Sequence, residues 1–225
     1  MTATELARVA GTPQTALSAE QIAAFGEHIA PAPWVATGSA LLWWQPPNRA
    51  LVEVIDSRLG RIGPPLGVIG GLLRYADTPV GGYDEVLTSV IYATRRGVRT
   101  TTPFITVNSP ATLVAGRTNW ALPKVPGTFS GDLETGMTCS GDAWSLRIDA
   151  SAADRGLPVR SGFWASQVWP DGLVRSSKLG MTARVRPAIA RVKVDADPTL
   201  SGWFRSGRYP AILTHDFQGT LSPAA

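Results

Sequence analysis

Histidine, cysteine and lysine are scarce in this chain of 225 residues, which holds two histidines, one cysteine and three lysines. A lone cysteine, Cys139, excludes an internal disulfide, and His28 and His215 are too few for a Cys/His zinc site. No run of 18 apolar residues occurs, and Glu5 stands where a secretory leader avoids acid. A soluble, cytoplasmic protein without membrane contact is therefore predicted. Runs of like charge are missing too: net charge is +4 and the pI near 9.6, but arginines are scattered from Arg8 to Arg208. That scatter weighs against a nucleic-acid partner. The best local candidate for base stacking is "GWFRSGRY" (202–209), where aromatics interleave with Arg205 and Arg208. The alternative is a surface turn whose Trp203 and Phe204 pack on the protein body. "GVIGG" is no dinucleotide fingerprint, because its glycine spacing is wrong and no helical pattern follows. Neither metal nor cofactor is expected.

What is present suits a sizeable core. Hydrophobic residues make up 44% and charged residues 17%, consistent with one globular domain over 1–225 whose first 33 residues form a helical arm. Ser18 and Gln21 have capping-box spacing, and Ile22, Phe25 and Ile29 fall on one helical face, so a helix is predicted from Ser18 until Pro31 and Pro33 stop it. "SALLWW", "ALVEVID", "LGVIGGLLRYAD", "YDEVLTSVIYAT" and "PFITVNS" then read as strands bounded by Gly, Pro, Asn or Asp. Two or three short strands follow in 129–150, and Pro170-Asp171-Gly172 marks a later turn. Strands without long helices between them predict a mostly β, α+β fold built on an antiparallel sheet.

The stretch "VAGRTNWALPKV" (114–125) interrupts that rhythm. Ser109 suits a cap, Pro110 a first helical position and Gly116 the end of a short helix, which would leave Arg117 to Lys124 on a loop. Lys124 is then either a solvated loop cation or a reactive amine. Glu85 shares a strand face with Tyr83, Leu87, Ser89 and Ile91, so its carboxylate needs a partner if that face is inward. Arg117 suits a structural clamp or a carboxylate. His215 and Asp216, adjacent on a strand, point to opposite faces and accompany no nucleophilic serine motif, so His215 reads as a core or rim residue.

Taken in order, "GGYDE" (81–85), "NSPATLVAGR" (108–117), "PK" (123–124), "VWPDG" (168–172) and "LTHDF" (213–217) resemble the acetoacetate decarboxylase-like superfamily, from about Gly60 to the C-terminus. The resemblance implies an antiparallel sheet closed into a barrel or cone around an apolar cavity. It implies Lys124 as a Schiff-base lysine and Glu85 as the cavity acid, both catalytic. Arg117, Tyr83 and Trp120 are the accompanying candidates for substrate binding. It further implies a keto substrate, carbon–carbon lyase chemistry of decarboxylase or aldolase/dehydratase type, and a homo-oligomer. Three positions depart from the pattern: Val125 stands where those decarboxylases carry a second lysine, Gly38 or Ser39 where an arginine is expected, and Gly70 where a second glutamate is. These departures count against decarboxylation of a small β-keto acid and leave desolvation alone to depress the amine's pKa. Non-covalent binding or cyclisation of a hydrophobic metabolite in the same pocket is the second reading.

Overall fold

A computed structural model describes residues 1–27, 30–47 and 55–225. The expected strand "ALVEVID" falls largely outside the described residues, as do Ile29 and His28. Two short helices open the chain, α1 (Ala3–Ala7) and α2 (Ala19–Ala24). Each starts on a capping box, Thr2 with Glu5 and Ser18 with Gln21. The second helix is shorter than the proline stops allow, ending at Ala24 with Phe25 as its cap.

Among the described residues eleven strands follow: β1 (Trp34–Gln45), β2 (Ile62–Asp77), β3 (Tyr83–Thr94), β4 (Gly97–Val107), β5 (Lys124–Pro126), β6 (Thr128–Asp132), β7 (Gly136–Gly141), β8 (Trp144–Ala152), β9 (Leu157–Val168), β10 (Val174–Asp195) and β11 (Gly207–Leu221). Between β4 and β5 lies α3 (Pro110–Trp120), and α4 (Pro198–Ser201) precedes β11. Strands β11, β1, β2, β3, β4, β9 and β10 are hydrogen-bonded in that order, and β10 returns to β11, so they form a closed ring. From β10 the sheet also continues through β8, β7 and β6. The fold is thus mostly β, α+β and largely antiparallel, as the sequence predicts. The exceptions are parallel: β4 with β5, and β4 with β9 through Arg99 and Thr100.

Alternation along these strands separates two apolar layers. One face of β1 to β4 gives Leu41, Trp43, Leu72, Val86 and Phe104, packed against Met137, Cys139, Trp144, Leu146, Ile148 and Val192 of the β6–β8 branch and β10. On the opposite face, Ala40, Leu42, Leu73 and Tyr75 gather with Val159, Met181, Ala183, Val185 and Phe217. Burial on this second face follows the sequence: Ala183 and Val185 are buried, whereas Lys178, Thr182 and Arg184, of opposite parity on β10, are exposed. Trp203 and Phe204 are buried, so the "GWFR" aromatics pack on the body of the protein.

Phe104 is the junction of the first layer, edge-on to Trp144 at 5.5 Å and to Phe204 at 5.6 Å. Its removal would leave a void lined by aromatic rings that cannot close in. Phe104→Ala is expected to cost about 3–5 kcal/mol in urea unfolding. A loss below about 1 kcal/mol would show that these rings do not hold the layer together.

Candidate active site

Helix α3 differs from the sequence reading. It does not stop at Gly116 but runs to Trp120, because the left-handed capping conformation falls on Ala121 at φ 49°. Ser109 makes no side-chain cap, so Pro110 alone marks the start. Its buried positions include Thr112 to Arg117 and Trp120, as expected of a helix enclosed between other elements. Four residues after its end, Lys124 is not on a loop but opens β5, opposite Ile105 of β4.

This register brings Lys124 to the face of β3 that carries Tyr83 and Glu85. Its Nζ donates to Glu85 Oε2 at 2.7 Å, to Thr112 Oγ1 at 2.8 Å and to the Tyr83 hydroxyl at 3.4 Å. It also lies 5.0 Å from the centroid of the Tyr83 ring. On β2, Tyr75 pairs with Tyr83 and donates its hydroxyl to Glu85 Oε1 at 3.4 Å. Side-chain exposure is 5% for Lys124 and 4% for Glu85, which makes this a fully buried ion pair. Tyr75 and Thr112 were missed in the sequence. Tyr75 was visible as the residue alternating with Leu73, but its closeness to Glu85 depends on strand register.

Charges in the cluster balance. Burial, the largest single influence, pulls the Lys124 pKa down, but the Glu85 carboxylate and Tyr83 together outweigh it and hold the amine above its ordinary value. The expected depression of the amine is therefore overturned: Glu85 holds the ammonium. The phenols of Tyr75 and Tyr83 are pushed up, chiefly by burial, and stay protonated.

Arg117 and Trp120 leave the substrate roles expected of them. All three guanidinium positions of Arg117 donate to main-chain carbonyls: Nε to Lys124 at 2.9 Å, Nη1 to Leu6 at 2.8 Å and Nη2 to Thr15 at 2.6 Å. Burial lowers its pKa to about 10, so it remains a cation. It is a clamp joining α3, β5 and the N-terminal arm, its Nε and both Nη atoms engaged with main-chain carbonyls. Trp120 packs edge-on against Trp34 at 5.1 Å and donates to Ser222 O at 2.8 Å, in a separate apolar cluster. His215 lies on an exposed rim beside Glu134 and Arg186.

Gly116 has a function the cap reading did not foresee. A Cβ there would stand 2.7 Å from Cδ and 2.8 Å from Cε of Lys124. The stem of Lys124 therefore lies against the bare helix backbone, while Thr112, one turn earlier on the same helix face, receives its Nζ. A cavity of about 380 Å³ lies elsewhere, between the arm at Thr12, strands β4 and β9 at Thr102 and Gln167, and Trp203; Lys124 is not among its walls. Among the described residues no group of three His, Cys, Asp or Glu could hold a metal ion, and no helix is long and apolar enough to cross a membrane.

Similarity to known proteins is structural. No family model and no curated protein sequence matches the chain. Among solved structures it is similar to acetoacetate decarboxylase from Legionella pneumophila, with 12% identity, a TM-score of 0.65 and 88% of each chain covered. An acetoacetate decarboxylase-like enzyme from Sphingomonas wittichii RW1 is 14% identical over 88% of this chain and 94% of its own, with a TM-score of 0.65. The enduracididine biosynthesis enzyme MppR, complexed with pyruvate, is 10% identical over 89% and 92%, with a TM-score of 0.63. The chain thus has the fold of the acetoacetate decarboxylase-like enzymes, at 10–14% sequence identity.

Two outcomes test this geometry. Gly→Ala in a helix ordinarily gains up to about 1 kcal/mol; Gly116→Ala is expected instead to destabilise the protein and displace Lys124. A more stable variant with unchanged Lys124 reactivity would show that the stem does not need the gap. In Glu85→Gln the main cause raising the Lys124 pKa is gone while desolvation, the largest cause, remains. Reductive methylation of Lys124, followed by peptide mass against pH, should then shift to lower pH than in the parent protein. An unshifted profile would mean that Glu85 does not hold the ammonium.

Proposed function

We propose that this protein is an enzyme that forms a Schiff base between Lys124 and a carbonyl substrate, and that it makes or breaks a bond at the carbon beside that carbonyl. The observation that carries the reading is the buried Lys124–Glu85 pair at 2.7 Å, enclosed by Tyr83, Tyr75 and Thr112. The fold shared with acetoacetate decarboxylase and with MppR, one of whose structures holds pyruvate, supports keto compounds as the substrate class.

Each residue has a definable task. Glu85 takes a proton from the Lys124 ammonium across their hydrogen bond, and the neutral amine attacks the carbonyl carbon. Glu85 then returns that proton to the departing hydroxyl, water leaves, and an iminium stands where the ammonium stood. The charge facing Glu85 is the same before and after, so a dry site can hold both states. Thr112 and Tyr83 orient Nζ, while Gly116 and Arg117 fix the stem and backbone of Lys124. The iminium accepts the electron pair released when a neighbouring C–C or C–H bond breaks. Exposed Phe163 and Trp164 on β9 support self-association as well.

One observation favours the second reading, binding without an imine: the ion pair with Glu85 at 2.7 Å holds the amine as ammonium. Borohydride separates the two, because it reduces an iminium to a stable secondary amine. Incubation with a panel of ketones, aldehydes and keto acids is expected to give a reduced adduct on the Lys124 peptide, absent from Lys124→Ala. A folded protein that binds members of the panel and forms no adduct would establish non-covalent binding instead.

A further inference from the structure

The imine reading, on which this inference rests, leaves the substrate's charge open, and the face around Glu85 addresses it. Leu73 is the cross-strand partner of Glu85, and Leu42, Leu73 and Leu87 converge on Gly71, where a Cβ would meet each of them at 3.2–3.3 Å. Leu42, Leu73 and Tyr75 continue into Ala40, Val159, Met181, Ala183, Val185 and Phe217. Every one of these side chains is uncharged, and Leu42, Leu73, Tyr75, Val159 and Met181 are only partly buried. Of the basic residues on β2, β9 and β10, Arg74 pairs with Asp84 and Arg175 with Asp171, while Arg160, Lys178 and Arg184 have the opposite parity to the apolar face and are exposed. Arg117 is held by its three carbonyls. Among the described residues the cation set against Glu85 on this face is the amine itself, and Glu85 already neutralises it.

We infer that the substrate is a neutral ketone or aldehyde with an apolar body, carrying no carboxylate beside its carbonyl. A keto acid would bring a second carboxylate next to Glu85 in a dry site with a single cation between them, a like-charge crowding that such sites disfavour. A neutral carbonyl leaves the site balanced at every step. Its iminium faces Glu85, which then removes a proton from the adjacent carbon; the product is a neutral enamine beside a protonated Glu85. Return of a proton to that carbon regenerates the iminium, and water releases the ketone. No oxidant or further reactant is required.

Two probes of equal chain length decide the matter, 2-octanone and 2-oxooctanoate, each titrated against the unaltered protein with cyanoborohydride and read as adduct on the Lys124 peptide. The ketone is expected to half-saturate labelling at a concentration lower by about tenfold or more, a difference of ~1.4 kcal/mol or above. In deuterium oxide without reductant, the enzyme should also exchange the protons beside the ketone's carbonyl, and Glu85→Gln should lose that exchange. Equal or tighter labelling by 2-oxooctanoate would overturn the inference while leaving the imine reading intact. Lys124 unlabelled by either probe would overturn both.

Discussion

A guanidinium buried with no carboxylate beside it organises this molecule. Arg117 offers its fork of donors to carbonyls from three places, Leu6 and Thr15 in the N-terminal arm and Lys124 at the start of β5. Arginine suits such a task because its donors are rigidly spread and its charge persists under desolvation. A lysine of the same reach could not bridge three segments in fixed directions. The position of Lys124 is thus set from behind by Arg117 and from the side by the missing Cβ of Gly116. The arm packs over the same region, with Leu6 and Ile22 against Tyr83, Ile105 and Leu113. Closure of the site and placement of its amine are two effects of one hydrogen-bonded centre.

Much of this was legible in residue pattern. The run Tyr83–Thr94 forms β3 over its full predicted length, and the alternation that put Tyr83 and Glu85 on one face holds in the structure. Ser18 and Gln21 cap as their spacing demands. What failed had physical reasons. Gly116 read as a helix stop because glycine usually relieves backbone strain there; here it relieves a steric conflict with a side chain eight residues later, which one-dimensional pattern does not encode. Arg117 and Trp120 read as substrate contacts alongside the family resemblance. On a continuing helix they point to other neighbours. Tyr75 and Thr112 join the cluster through cross-strand register and helix–strand packing, both long-range outcomes. The short α1 did carry a signal, since Thr2 and Glu5 have capping-box spacing, but five residues are too few to show helical period.

Stability alone does not account for the Lys124–Glu85 pair. Two charges withdrawn from water lose hydration that their mutual attraction rarely exceeds, and apolar replacement of such pairs is often neutral or stabilising, by about 1–4 kcal/mol. The surroundings here would suit that replacement, since Tyr83, Ile105, Val107 and Leu113 already form an apolar cluster on this side of the sheet. A fold selected only for a firm core would have leucine and methionine in these places. Keeping a lysine and a glutamate there, with a glycine that opens room for the lysine's stem, a threonine to receive its Nζ and a buried arginine to hold its carbonyl, requires another reason. The proposed chemistry at the amine supplies one: on that proposal the ion pair stores, within one hydrogen bond, both the nucleophile and the group that takes its proton. On the same proposal the pairing limits what can approach, because a site already neutral receives a neutral guest with no change in its charge.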